Sequence, residues 1–167
     1  IFHSIYFFDP NGHRVELACP DPEEEAMLNI ARTASMLDGA ERAFFRRFDL
    51  TSAAYNLLRI LRGHLRKGEE HGVRASEIGC QMVVRMPDVT RLVDRLEGRG
   101  LVSRRSDDVD RRVKYVSITP KGLDLLERID PEIVTLGREV LGHLSDGELR
   151  TISRLMEKVR DEQDSGE

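Results

Sequence analysis

The sequence predicts a mainly α-helical chain with a small β-element set into it and a β-hairpin ahead of it. Three observations carry this expectation. Apolar residues recur at three- and four-residue intervals through most of positions 23–162, the spacing of one buried helix face. Helix-starting residues punctuate that pattern: Thr51, Thr119-Pro120 and the S-x-x-E box Ser145–Glu148. Alternating, strand-like segments joined by turn-forming residues occur twice, over positions 1–18 and 102–118.

Taken in order, Ile1 to Phe8 is rich in β-branched and aromatic residues. Asp9-Pro10-Asn11-Gly12 is a turn signal, and Arg14 to Ala18 is the expected returning strand. An isolated hairpin is marginal in water, so this one must pack on something. Pro20 and Pro22 break the pattern, and Glu23, Glu24 and Glu25 place negative charge in the first turn of a helix. Its stripe is Met27, Ile30, Ala34, Leu37, Phe44, Phe45 and Phe48, ending near Leu50. Thr51 caps a second helix with Ala54, Leu57, Leu58, Leu61 and Leu65 on its apolar side. A polar loop over 67–72 leads to a short helix, about Ala75 to Met82, with Ile78 and Met82 inward.

After a tight connection from Val83 to Met86, Pro87 occupies the first turn of a helix that buries Val89, Leu92, Val93 and Leu96. Gly100 stops it. Val102 to Arg105 and Val113 to Ile118 are the predicted strands. Thr119-Pro120 opens a long helix bearing Leu123, Leu126, Ile129, Ile133, Leu136 and Val140, which Pro131 should kink or break in two. The final helix carries Ile152, Leu155, Met156 and Val159, and positions 161–167 read as a frayed tail.

The chain has 167 residues, enough for one domain plus an appendage. Aromatics make up 5% and Trp is absent, which argues against a large aromatic-lined binding surface. No apolar run approaches the roughly 18 residues that span a bilayer, and no secretory pattern is visible, so a cytoplasmic setting without membrane contact is expected. The chain opens on Ile1 rather than Met, as expected where translation starts upstream. Cys19 and Cys80 form no metal or redox spacing, and each is expected to be a small packing residue. His3, His13, His64, His71 and His143 are scattered and read as surface or packing residues. No paired-carboxylate set, Ser/His/Asp arrangement or phosphate-binding glycine loop is present, so neither enzyme activity nor a cofactor is expected of these residues.

Charge is unevenly spread. The net charge is −4, yet positions 74–122 hold eleven Lys/Arg against seven Asp/Glu, a net of +4, leaving −8 elsewhere. Such a basic patch attracts phosphate locally while an acidic remainder discourages indiscriminate adhesion. On the helix from Pro87, the face opposite the apolar stripe carries Asp88, Arg91, Asp94 and Arg95. Two helices joined by a short turn fit a helix-turn-helix, whose second helix enters the major groove. Arg91 is placed to reach guanine O6 and N7, and Asp88 either to accept from a cytosine amine or to orient an arginine. Arg104, Arg105, Arg111, Arg112 and Lys114 make the following hairpin strongly cationic, suited to a narrow minor groove. Asp107, Asp108 and Asp110 would repel phosphate, so an internal role is expected, with Asp110 pairing to a neighbouring arginine and shaping the hairpin.

These residues resemble the MarR family of winged helix-turn-helix transcriptional regulators. The match rests on Leu50-Thr51, on Val89-Thr90-Arg91-Leu92-Val93-Asp94-Arg95-Leu96-Glu97, and on Gly100-Leu101-Val102. It continues through Asp110-Arg111-Arg112, Val116-Ser117-Ile118-Thr119 and Gly122, and helix order extends it over about 23–162. The resemblance implies a homodimer whose helices at 23–50 and 120–162 interlace, while 51–119 reads double-stranded DNA at a pseudo-palindromic operator. It implies that Pro87, Asp88, Thr90 and Arg91 face the groove, with Arg85 and Arg95 completing that set. Arg112 would be the wing-tip arginine with Arg111 beside it, and Ser76 and Gln81 would contact backbone phosphates. Arg74 and Met86 depart from the pattern, where a small polar helix cap is common. The apolar stripes at 27–48 and 152–159 agree with a dimer, since a small DNA-reading module cannot cover them.

Related proteins bind small anionic compounds between dimer helices and winged module. Phe44, Phe45, Phe48, Tyr55 and Arg59 are candidates for such an effector cleft, with core packing as the other reading.

Residues 4–18, SIYFFDPNGHRVELA, resemble instead the closing hairpin of the vicinal oxygen chelate fold of glyoxalases and extradiol dioxygenases. Glu16 would match that fold's last metal ligand, but one carboxylate makes no metal site. Two readings follow: a remnant of an upstream metal-dependent enzyme domain, or a hairpin-like arm. A further alternative is a winged helix that serves only protein interaction, against which the arginine-rich wing argues.

Overall fold

The computed structural model describes residues 3–8, 11, 14–19, 21–69, 71–83, 88–107, 110 and 113–164. They divide into two compact units, Ile1–Ser52 and Ala53–Glu167.

In the first unit, β1 (His3–Phe8) and β2 (Arg14–Cys19) pair antiparallel, with His3 opposite Cys19 and Phe8 opposite Arg14. This is the hairpin that the turn signal predicts. Helix α1 (Pro22–Arg46) starts where Asp21 accepts from the Glu23 N–H at 3.1 Å. The Glu23 side chain first, and this main-chain bond second, hold the Asp21 carboxyl below its ordinary range. The helix ends four residues before the expected Leu50. Asp49 adopts φ 51°, the Asp49 N–H donates to the Arg46 carbonyl, and the Leu50 N–H reaches back to Phe45. This left-handed stop lies within what looks, by apolar spacing alone, like continuing helix. Phe44 and Phe45 are buried and meet edge to face with centroids 5.1 Å apart. Met27, Ile30 and Met36 stay exposed on α1, with Met27 71% accessible.

The second unit begins with α2 (Ser52–Arg66), followed by β3 (Val73–Arg74), α3 (Ala75–Gln81) and α4 (Val89–Gly98). Strands β4 (Val102–Ser106) and β5 (Lys114–Ile118) come next, then α5 (Pro120–Leu141) and α6 (Asp146–Asp164). The antiparallel sheet has the order β3-β5-β4. The two-residue strand β3 went unforeseen because two residues carry no readable period. Leu57, Leu58, Ile78, Val93, Leu96, Val116, Leu126 and Ile129 are fully enclosed, which makes α2, α3, α4, β5 and α5 joint owners of one core. Each such side chain contributes about 1.5–3 kcal/mol of apolar burial. Leu65, expected on the buried stripe of α2, is instead exposed near the helix end.

Two junctions hold the sheet to its helices. Gly100 takes φ 70°, so that its N–H reaches Glu97 and the Leu101 N–H reaches Leu96, closing α4. Thr119 then caps α5, accepting from the Gly122 N–H at 3.1 Å while its hydroxyl donates to the Gly100 carbonyl at 2.7 Å. A Cβ at Gly122 would collide with the Leu101 carbonyl oxygen, so glycine is required where α5 crosses that turn. The predicted break at Pro131 does not occur: α5 runs through it as one helix. A proline removes one ladder bond, and here the neighbouring turn is anchored by buried Ile129 and by Asp130. The latter takes a two-pronged ion pair from Arg62 of α2, at 2.6 and 3.1 Å. The box at Ser145 forms as expected: Ser145 N–H donates to Glu148 Oε2 at 2.8 Å, and that carboxyl is held below its usual range.

Candidate nucleic-acid interface

Helices α3 and α4 form the predicted helix-turn-helix, with β4 and β5 as its wing. Asp88 is the N-cap of α4. One carboxylate oxygen accepts from the Arg91 N–H at 2.9 Å and the other lies 2.8 Å from Arg91 Nε. Of its two expected roles, Asp88 therefore fills the second: it aims an arginine. Arg91 is 87% exposed, so its two terminal nitrogens are presented outward from the first turn of the helix. Thr90 and Arg95 are exposed on α4, and Ser76 is exposed on α3. Arg85, Pro87, Arg111 and Arg112 lie outside the described residues.

The wing is pinned to α4 through one arginine. Arg104, 25% exposed, places its terminal nitrogens 2.5 Å from Asp94 Oδ1 and 3.7 Å from Glu97 Oε2. It also donates to the Thr90 carbonyl at 3.1 Å, and its main-chain N–H donates to Glu97 Oε1 at 3.1 Å. The expectation that Arg104 belongs to the phosphate-seeking charge of the hairpin is corrected by this geometry: its charge is spent between strand and helix. Residues on β4 alternate faces, and position 104 falls on the side turned to α4.

The wing loop is shaped by Asp107. Its Oδ1 accepts from the Asp110 N–H at 2.9 Å, while the Asp107 N–H donates to the Val113 carbonyl at 3.0 Å and the Val113 N–H donates to the Asp110 carbonyl at 2.9 Å. Asp110 thus takes part through its main chain, and both arginines next in sequence lie beyond the described residues. Across the sheet, Arg74, Tyr115 and Arg105 are register neighbours, and each guanidinium sits about 6 Å from the Tyr115 ring. Arg74 is also the N-cap of α3, with no side-chain cap bond, as its departure from the usual small polar residue foretells. A cleft of about 420 Å³ opens between α3, α4 and the wing, with Ser76, Thr90, Arg104 and Lys114 among its walls.

Two side chains of α2 hold the turn from behind. Asn56 Oδ1 accepts from the Val83 N–H at 3.0 Å. His64 lies between Gln81 and Glu69: Nε2 is 2.9 Å from Gln81 Oε1, and Nδ1 is 2.7 Å from Glu69 Oε2. These contacts raise the imidazole pKa, Gln81 first and Glu69 second. His64 is thereby more than the surface or packing residue expected, and Gln81 is tied at one arm. Cys80 is also corrected: it is exposed, since it follows inward-facing Ile78 by two residues, over half a helical turn away. Sequence reading missed Asn56, His64, Glu69, Asp94, Glu97 and Tyr115 as site-building residues. Only Asp94 and Glu97 carried a signal, inside the Val89–Glu97 motif.

Of the effector candidates, Phe44 is buried and Phe48 half-buried in the first unit. In the second, Tyr55 is buried with the Arg59 guanidinium 5.7 Å from its ring centre, and burial pushes the Tyr55 hydroxyl pKa up. Among the described residues, no three His, Cys, Asp or Glu side chains gather as a metal site would require. No helix among them is long and apolar enough to cross a membrane.

The family model described as MarR family matches residues 50–114. The crystal structure of a MarR transcription factor from Planctomyces limnophilus aligns at 36% identity with a TM-score of 0.65, covering 83% of this chain and 98% of that one. S. aureus MepR, solved as a complex with DNA, shares the fold at 20% identity and a TM-score of 0.70, over 81% of this chain and 96% of its own. The HTH-type transcriptional regulator PecS of Dickeya dadantii is 27% identical over 143 residues, 84% of either chain.

Proposed function

The chain belongs to the MarR family and is a DNA-binding transcription regulator, and from that premise we propose that it acts as a homodimer on a pseudo-palindromic operator. The observation that carries this reading is the pairing of an outward Arg91, aimed by Asp88, with a wing locked to the same helix through Arg104. A rigid helix and a rigid wing at fixed separation can enter adjacent grooves together. Arg91 is assigned to guanine edges in the major groove, with Thr90, Arg95, Pro87 and Arg85 beside it. Arg111 and Arg112 are assigned to the minor groove, and Ser76 and Gln81 to phosphates. Exposed apolar side chains support the dimer: Met27 and Ile30 on α1, Val134 on α5, and Ile152, Leu155 and Val159 on α6. The hairpin 1–20 is proposed as an appendage to the regulator or as the remnant of an upstream domain.

Selection of bound sequences from random duplexes tests the reading, followed by anisotropy on the selected site. A two-fold symmetric site and a steep loss of affinity with salt are expected. Arg91→Ala should relax base preference by about 1–3 kcal/mol at one position per half-site. Binding by that variant with the parent's affinity and unchanged base preference would end the assignment. Tyr55, Arg59, Phe44 and Phe48 are the proposed effector contacts, to be tested by repeating the selection with small aromatic acids.

A further inference from the structure

The imidazole of His64 stands between two acceptors, the carboxylate of Glu69 at Nδ1 and the amide oxygen of Gln81 at Nε2. A ring nitrogen that meets an acceptor must carry hydrogen, so a ring serving both holds two protons and a positive charge. A neutral ring has one N–H. Glu69 as a carboxylate has no hydrogen to offer, so the Nδ1 proton stays and the Nε2 proton is the one released. Nε2 then becomes an acceptor, and the contact survives only if the Gln81 amide turns over and donates from its NH2 arm. The same rotation exchanges what the amide shows on its other side. Gln81 is exposed and closes α3, immediately before the turn into the recognition helix.

We propose that His64 is a positioning residue for Gln81: protonated, it pins the amide oxygen and leaves the NH2 arm to donate to a backbone phosphate. Neutral, it takes the NH2 arm and leaves an oxygen, which phosphate repels. The inference rests on the reading of Gln81 as a phosphate contact. The charged groups around the ring, among the described residues, are Glu69 and Lys67 from the segment after α2; α3 contributes the neutral Gln81. Glu69 favours the cation and Lys67 opposes it. Helix α2 thus makes DNA affinity depend on pH through a residue that itself touches no DNA.

The test uses the full chain and a fluorescein-labelled mixed-sequence duplex at fixed low salt, with anisotropy read from pH 6 to 8.5. Nitrogen and carbon shifts of His64 are followed by NMR over the same range. The parent should lose about tenfold in affinity per engaged subunit as pH rises, the worth of one charge-assisted hydrogen bond in each. Its midpoint should match that of His64 Nε2. Gln81→Met should lose the step and lower the His64 midpoint. His64→Gln should also bind without the step. Parallel pH profiles in parent and Gln81→Met, with both binding, overturn the inference and leave DNA binding intact. A His64 midpoint unmoved by Gln81→Met overturns it without any DNA in the tube. Absence of salt-sensitive duplex binding by the parent at every pH sinks it together with the reading it rests on.

Discussion

Arg104 is placed to act on binding by holding the wing to α4. Its guanidinium meets Asp94, Glu97 and the Thr90 carbonyl, so removing it leaves two carboxylates together on α4 and takes away the side-chain part of the link to β4. Arg104→Ala should cost about 1–2 kcal/mol of stability, read in urea melts, because the pairs are only partly shielded from water. Its effect on duplex affinity should be larger, while the slope of log affinity against log salt stays at the parent value. A slope reduced by about one unit per subunit would mean that Arg104 neutralises a phosphate itself. His64 gives a second prediction, in stability. Its folded pKa is raised, so it favours the folded state most at pH below the unfolded value of about 6.5. That contribution disappears as pH climbs through the folded value. The stability gap between parent and His64→Gln should therefore shrink from pH 5.5 to 8.5; a gap that widens would reverse the assignment.

At the level of elements, backbone chemistry was the legible part. Gly100, Thr119 and the Ser145 box act at the junctions where sequence placed them, because φ preference and cap hydrogen bonds are local. Gly100→Ala should cost about 1 kcal/mol, since an L-residue is strained at φ 70°. Less legible was whatever depends on partners distant in sequence. Strand β3 exists only because β5 offers it a ladder, and Arg104 looks like one more wing cation until β4 is set against α4. The exposed side of α4 was readable from its opposite apolar stripe, whereas Asn56 and His64 gave no sign, being ordinary polar residues on a helix that reads as core. Pro131 misled for the same reason. Its missing N–H is a local defect, but Arg62–Asp130 and Ile129 hold the adjoining turn. Pro131→Ala should restore the ladder and raise stability by about 2 kcal/mol, the interior-proline cost less the gain from a stiffer unfolded chain. A lower melting temperature would indicate that a bend at that point serves packing.

For the whole molecule, charge and apolar exposure point the same way. With a net charge of −4 per chain, and −8 in the proposed dimer, long-range attraction to DNA is weak and binding must come from the basic segment at close quarters. At 0.15 M salt the screening length is about 8 Å, which hides most of the acidic remainder from the duplex. Both half-sites must then be engaged together for useful affinity, and α6 is one of the places to test that requirement. Leu155 and Val159 lie on it one turn apart and are 45% and 54% accessible. Aspartate at both should leave a single subunit folded, because neither belongs to the buried core. Light scattering on the double variant should give half the parent mass, with unchanged helical circular dichroism. Its salt slope on the selected operator should fall to about half that of the parent, since each subunit contributes its own phosphate contacts. Half the mass with the full slope would place all DNA contacts in one subunit; full mass would move the dimer contact away from α6.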